Sequence, residues 1–441
     1  MAKVVKFGGS SLADAEHFRQ VADIINADKE RRFIVPSAPG KRFGDDVKVT
    51  DMLIDCYKNV EAGCSADACF SQIIERFDGI ITELGLPSDF LTAEYDKIIA
   101  DFNSRSGADY AASRGEFLNG LILAEHLGCA FVDAADVVKF NADGSFDAGL
   151  TNLKLEFSLK DYDKVVIPGF YGAKPGGEIK TFSRGGSDIT GSLVAKAVKA
   201  SLYENWTDVS GILMADPRII ENPDKIDIIT YSELRELSYM GATVLHEDAV
   251  LPVREAGIPM CIKNTNRPED VGTSILPQAE MKQVVTGIAG KKNFSIIHIE
   301  KTGMNNEVGF LYRILSFFAS ANINFEHIPT GIDTLSIVVN SDVIEKHPDL
   351  CERIREVAGL RKCEIEIFPN LALIAVVGRG MKGQRGIAGF IFSALGHKEI
   401  NIRTIDQGSS ELNIIVGVEE TDFEAAILAI YEMSRQFLTS K

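Results

Sequence analysis

The sequence predicts an α/β domain on a mostly parallel sheet, followed by two smaller α+β units. Three observations carry this. Up to about Leu276, short apolar runs alternate with segments of helical periodicity. Two glycine-rich turns fall where a strand feeds a helix, at Gly8-Gly9 and Gly185-Gly186. The last 150 or so residues then repeat themselves at an offset of 77 positions.

Lys3–Phe7 reads as a buried strand, Ala15–Ile25 as a helix and Arg32–Val35 as the next strand, a βαβ pattern. Residues from about Met52 to Leu127 read as mainly helical, broken at Pro87 and Gly107. Strands are expected again at Ala130–Val132, Val165–Pro168, Ser201–Tyr203 and Pro259–Ile262, with helices over Asp188–Lys199 and Ser232–Tyr239. Pro277–Lys282 suits a linker. In the repeat, Asn293 aligns with Asn370, Gly303 with Gly380, Gly309 with Gly386, Ile314 with Ile391 and Asn324 with Asn401. Each copy reads strand, glycine loop, amphipathic helix, strand, turn, strand. This order sets expected domains of 1–280, 284–365 and 366–441.

Composition narrows the function classes. The 441 residues are 45% hydrophobic, enough for several cores, and hold no apolar run long enough to span a bilayer. The N-terminus lacks the features of a signal peptide. Seven scattered cysteines, with no CxxC pair, argue against a disulfide framework or zinc site and fit a reducing cytoplasm. A net charge of −17 argues against nucleic acid and anionic membranes as partners. An anionic substrate would then depend on local cations, so Lys and Arg within glycine-rich segments are the residues of interest.

Lys6-Phe-Gly8-Gly9-Ser10-Ser is the first such segment. A strand ends, glycines allow a tight turn, and backbone N–H groups at a helix start suit phosphate, with Lys6 as the neighbouring cation. A Walker A pattern is absent, and a plain βα turn remains the alternative. The second segment is Ser183-Arg184-Gly-Gly-Ser-Asp188, where Arg184 offers a planar fork for a carboxylate and Asp188 opens a helix. Thr207-Asp208 and Asp216-Pro-Arg218 follow a strand and suit ribose and phosphate, while taken alone they are also ordinary loop composition. Gly378-Arg-Gly380-Met-Lys-Gly383 fits GxGxxG, but its repeat copy does not, which argues against dinucleotide binding. His246 lacks a second histidine nearby and reads as structural.

Taken in order, Lys6-Phe-Gly-Gly-Ser10, Lys48-Val-Thr50-Asp, Ser113-Arg-Gly-Glu116, Ser183-Arg-Gly-Gly-Ser-Asp188, Thr207-Asp208, Asp216-Pro-Arg218 and Lys263-Asn-Thr265 resemble the aspartate kinases of the amino-acid-kinase superfamily. The repeated units resemble ACT domains, βαββαβ modules that bind amino-acid effectors. The resemblance implies a three-layer αβα catalytic domain followed by two ferredoxin-like ACT units. It implies transfer of the ATP γ-phosphoryl group to the β-carboxylate of L-aspartate, the first step toward lysine, threonine and methionine. With no homoserine dehydrogenase segment in the sequence, it implies a monofunctional enzyme. ATP is the implied co-substrate, with Mg²⁺ carried by ATP and no protein cage for the metal.

Carried residue by residue, the resemblance gives Lys6 charge neutralisation and Gly8, Gly9 and Ser10 the phosphate. Arg184 and Thr50 take the aspartate α-carboxylate, Glu116 its ammonium, and Asp188 orients Lys6. Thr207, Asp208, Asp216 and Arg218 line the nucleotide site. Two positions depart from many members: Thr243 stands where a Lys often approaches ATP, and Leu213 replaces an aromatic near adenine. In the first ACT copy, Met304, Gly309, Glu326, Thr330 and Asp333 would read the effector, lysine first and threonine as an additional or alternative ligand. Arg403 stands in the second copy where Glu326 stands in the first, and would repel an ammonium. A homodimer through the ACT units is the expected assembly, with a tetramer as the alternative. The competing readings are a glutamate 5-kinase or acetylglutamate kinase on the same fold, and a catalytically silent amino-acid sensor.

Overall fold

A computed structural model describes residues 2–183, 185–242, 245, 247–280, 283–357 and 364–439. The chain divides into two compact units, Met1–Ile212 with Lys225–Leu234 and Thr243–Ala279, and Leu213–Asp224 with Arg235–Ala242 and Glu280–Lys441. Among the described residues no helix is long and apolar enough to cross a membrane.

The first unit opens with β1 (Lys3–Phe7), α1 (Ala15–Asn26) and β2 (Arg31–Pro36). The helices α2 (Val49–Glu61), α3 (Ala66–Leu84), α4 (Thr92–Asn103) and α5 (Ala108–Leu127) follow without an intervening strand. Asp14 starts α1 by accepting the His17 N–H, and Gly85 and Gly128 end α3 and α5 in the left-handed conformation. The chain continues through β3 (Ala130–Phe131), α6 (Ala134–Val137), α7 (Ala148–Leu159), β4 (Val165–Val166) and the hairpin β5 (Tyr171–Ala173)–β6 (Ile179–Thr181). It then runs through α8 (Gly186–Ala197), β7 (Leu202–Thr207), β8 (Ile212–Leu213), β9 (Lys225–Ile226), β10 (Ile228–Thr230), α9 (Tyr231–Tyr239), α10 (Leu251–Glu255), β11 (Met260–Asn264) and β12 (Thr273–Leu276).

Eight of these strands form one sheet in the order β10-β12-β11-β7-β1-β2-β4-β3. All neighbours are parallel except β11 and β12. Successive strand residues face opposite sides, yet Val4, Val5 and Phe7 are each 0% exposed, so both faces of the centre are covered. That is the expected αβα layering, and each predicted strand and helix is present within a few residues.

In the second unit, β13 (Gly287–Glu300), β14 (Thr334–Asn340), β15 (Glu364–Val377), β16 (Thr404–Asp406) and β17 (Asn413–Glu419) form an antiparallel sheet ordered β14-β13-β15-β17-β16. The helices are α11 (Phe310–Ser320), α12 (Ser341–Lys346), α13 (Leu350–Val357), α14 (Ile387–His397) and α15 (Phe423–Thr439). The repeat is visible in the backbone. β13 and β15, and α11 and α14, have equal lengths at the 77-residue offset. Asn293 (φ 75°) and Asn370 (φ 61°) both turn left-handed inside their strands. Beyond those turns the partners change: Gly287–Lys291 pairs with Leu373–Val377, whereas Phe294–Glu300 pairs with both β14 and the first half of β15. Both long strands therefore serve both halves of the sheet, and position 365/366 falls inside β15.

The first copy closes on a core of Ile297, Ile299, Ile314, Phe318, Leu335 and Ile337. The GxGxxG stretch has a packing explanation. A Cβ on Gly378 or Gly380 would come within 2.4 Å of the Val284 or Gln283 carbonyl oxygen, so the glycines let two backbones touch.

Candidate active site

The parallel strands β1, β2 and β7 end side by side, and a cavity of about 650 Å³ opens at their C-terminal ends, the place where open α/β sheets bind ligands. Gly8, Gly9 and Ser10 line it from β1, Ser37 to Gly44 from β2, Thr207 and Asp208 from β7, and Lys48, Thr50 and Glu116 from α2 and α5.

The two turns interlock. The Gly40 N–H donates to the Gly9 carbonyl at 2.8 Å, and a Cβ on Gly40 would stand 2.6 Å from the Gly9 carbonyl carbon. Only glycine fits this crossing. The Gly8 N–H does not face a ligand, because it donates to the Trp206 carbonyl at 3.0 Å. Among the described residues, the N–H groups of Gly9 and Ser10 have no backbone acceptor, so they are the donors left for an anion.

Lys6 ends β1, 7% exposed, with its Nζ 2.7 Å from Asp188 Oδ1. Asn205 Nδ2 donates to the same oxygen at 2.7 Å. Asp188 stands in the first turn of α8, whose dipole favours its charge. This ammonium is therefore held by one carboxylate beside the glycine turn.

Glu116 lies in the middle of α5 and is 6% exposed, and its Oε2 has no hydrogen-bond partner. Burial pushes its carboxyl up to about 8, opposed by the backbone N–H groups of Ala38 and Glu116 and by the charges of Arg114 and Lys6. A buried carboxyl on a cavity wall, with one oxygen lacking a partner, is suited to receive a cationic group.

Other expected residues are distributed differently. Asp216 and Arg218 fall in the second unit, pair with each other at 2.6 Å and are absent from the cavity lining. Leu213 is partly exposed. Arg184, Thr243 and His246 lie outside the described residues. The sequence reading missed Ser37-Ala-Pro-Gly40, whose run of small residues after a strand was the available sign, and Asn205. It also missed the buried Ser11–Thr265 hydroxyl contact of 2.7 Å, which ties the phosphate turn to the Lys263-Asn-Thr265 motif.

In the second unit, the Asp333 side chain accepts the Gly303 N–H at 2.7 Å, and the Glu326 carboxylate accepts the Tyr239 hydroxyl. Glu307, within the Met304–Gly309 loop, pairs with Lys301 and Arg313. Met304 is buried, and Thr330 bridges to Leu335.

Residues 1–264 match the amino acid kinase family and residues 374–433 an ACT domain. Aspartokinase 3 of Bacillus subtilis (strain 168) is 36% identical over 446 residues, 98% of either chain. The crystal structure of Clostridium acetobutylicum aspartate kinase superposes with a TM-score of 0.89 at 50% identity, over 98% of this chain and 100% of that one. E. coli aspartokinase III, solved with lysine and aspartate in its T-state, gives a TM-score of 0.75 at 25% identity over 99% of each chain. On this evidence the chain belongs to the amino acid kinase family and, within it, to the aspartokinases.

Proposed function

We propose that the cavity at the ends of β1, β2 and β7 is where this aspartokinase moves the γ-phosphoryl group of ATP to the β-carboxylate of L-aspartate. The observation that carries the proposal is the Lys6–Asp188 pair behind the Gly8–Ser10 turn, which lines the cavity together with Glu116, whose Oε2 has no hydrogen-bond partner. The substrate carboxylate is already a nucleophile at neutral pH, so no general base is required. The chain's task is to position two anions and neutralise the charge between them. Gly9 and Ser10 N–H groups take phosphate oxygens, and Lys6 faces the transferring group. Glu116 takes the aspartate ammonium, with Thr50 and Arg184 on its α-carboxylate. Thr207 and Asp208 form the nucleotide side of the cavity. Mg²⁺ carried by ATP would be held mainly by phosphate and water and would neutralise phosphate charge, and the exposed Asp208 on the cavity wall would be the carboxylate to add an oxygen ligand. Aspartate-dependent ADP release, lost in Lys6→Met, tests this assignment.

Regulation is assigned to the first ACT copy, with lysine as the effector. Glu326 and Asp333 are its acidic groups, and Gly309 starts α11 in the left-handed conformation. E. coli aspartokinase III, a relative in fold, was crystallised with lysine. The exposed Val308 (97%), Tyr312 (74%) and Ile332 (74%) of this copy support pairing into a homodimer. Light scattering at micromolar concentration checks that assembly.

A further inference from the structure

The loop between β2 and α2 combines an exposed surface with a buried anchor. Lys41 to Asp45 are exposed. Beneath them Arg76 of α3, 7% exposed, donates to Asp46 Oδ2 at 2.8 Å and to the carbonyls of Ala13 and Gly40, each at 2.9 Å. Asp46 also receives the Arg42 backbone N–H at 2.9 Å and its Nε and Nη2 at 2.8 and 3.0 Å. A buried guanidinium is costly unless it is paired in this way. Here the pairing fixes both ends of an otherwise solvent-facing strap, and Gly40 at one end is the residue interlocked with Gly9.

The strap is also the main source of cations on the cavity wall. Lys41, Arg42 and Lys48 all line it. Arg42 is committed to Asp46, and Lys6 to Asp188. Lys41 has only the Gly44 carbonyl at 3.2 Å, and among the described residues no carboxylate pairs with Lys41 or Lys48. Two ammonium groups without an ion-pair partner among the described residues, one inside the pinned strap and one at the start of α2, line a cavity assigned to anions in a chain of net charge −17.

We propose that this strap is a preformed substrate clamp. Lys41, adjoining the Gly9–Gly40 crossing, binds the phosphates of ATP. Lys48, two residues before Thr50, binds the carboxylates of aspartate. Arg76 is the positioning residue that holds the clamp in place. The inference rests on the substrate assignment made above and deepens it.

The test measures steady-state constants for both substrates, with binding of a fluorescent ATP analogue as a second readout. Lys41→Met should raise KM for ATP and the analogue Kd about tenfold while leaving KM for aspartate within about twofold. Lys48→Met should do the reverse. Both residues are exposed, so neither change threatens folding. Arg76→Met should raise both KM values, and Arg76→Lys should restore part of the loss. Unchanged constants in both lysine variants, or the opposite split, overturn the clamp. If the wild-type enzyme releases no ADP with aspartate, the substrate assignment fails instead, and analogue binding still decides the role of Lys41.

Discussion

With Glu116 proposed to take the aspartate ammonium, aspartate recognition should depend on pH in the direction set by the raised carboxyl of Glu116. Its carboxyl sits at about 8 because burial disfavours the charged form. At pH 7 roughly one ligand-free molecule in ten then carries the carboxylate that an ammonium requires. The apparent KM for aspartate at pH 7 should therefore stand about tenfold above its alkaline limit, because only that fraction is competent. Between pH 6 and 7 the ratio kcat/KM for aspartate should rise nearly tenfold, levelling off above about 8. KM for ATP should stay nearly constant over this range. Linkage gives a second observable. The native carboxyl keeps a proton that the unfolded chain releases above about 4.5, so ligand-free stability falls as pH rises from about 4.5 to 8. From this group the slope is up to about 1.4 kcal/mol per pH unit, and saturating aspartate should flatten it. The assay is coupled ADP release from pH 6 to 9, repeated with Glu116→Gln, which should show a raised aspartate KM without the pH slope. A wild-type aspartate KM that is flat from pH 6 to 8 would refute the reasoning.

Lys6→Met should lower kcat about 10²–10³-fold while circular dichroism shows an intact fold, as expected for the loss of one preorganised charge. Arg184→Ala should lower kcat/KM for aspartate at least about tenfold with little change in KM for ATP, the loss expected if Arg184 makes the proposed bidentate carboxylate contact. Glu326→Ala should leave uninhibited turnover near wild type and weaken lysine inhibition at least about fivefold, measured as the shift in half-inhibitory concentration.

The parts legible in the sequence are those set by local rules. β1, α1 and β2 follow from burial pattern and capping, and Gly8-Gly9 from the need for a tight turn. The 77-residue repeat survives even in its irregularities, the left-handed Asn293 and Asn370. Pairing was less accessible, because periodicity shows which face of a strand is buried and not which strand lies beside it. The change of partners along β13 and β15 is therefore invisible at that level. The site divides along the same line. Lys6 and Asp188 were assigned from motifs 182 positions apart, and the fold brings them within 2.7 Å. Ser37 to Gly40 matter through a backbone crossing with Gly9, and Gly8 spends its N–H on Trp206, neither of which side-chain chemistry reveals. Asp216 and Arg218 show the converse, a plausible motif whose members satisfy each other on the second unit.

Coupled ADP release with aspartate and, separately, glutamate as the acceptor tests the central claim most directly. Glu116, Thr50 and the Gly9–Ser10 turn line one cavity with Lys6 behind the turn, an arrangement assigned to the shorter dicarboxylate. The wild-type enzyme should turn over ATP with aspartate, lose that turnover in Lys6→Met, and give little ADP with glutamate. Turnover with glutamate equal to or above that with aspartate, or no aspartate-dependent ADP at all, would contradict it.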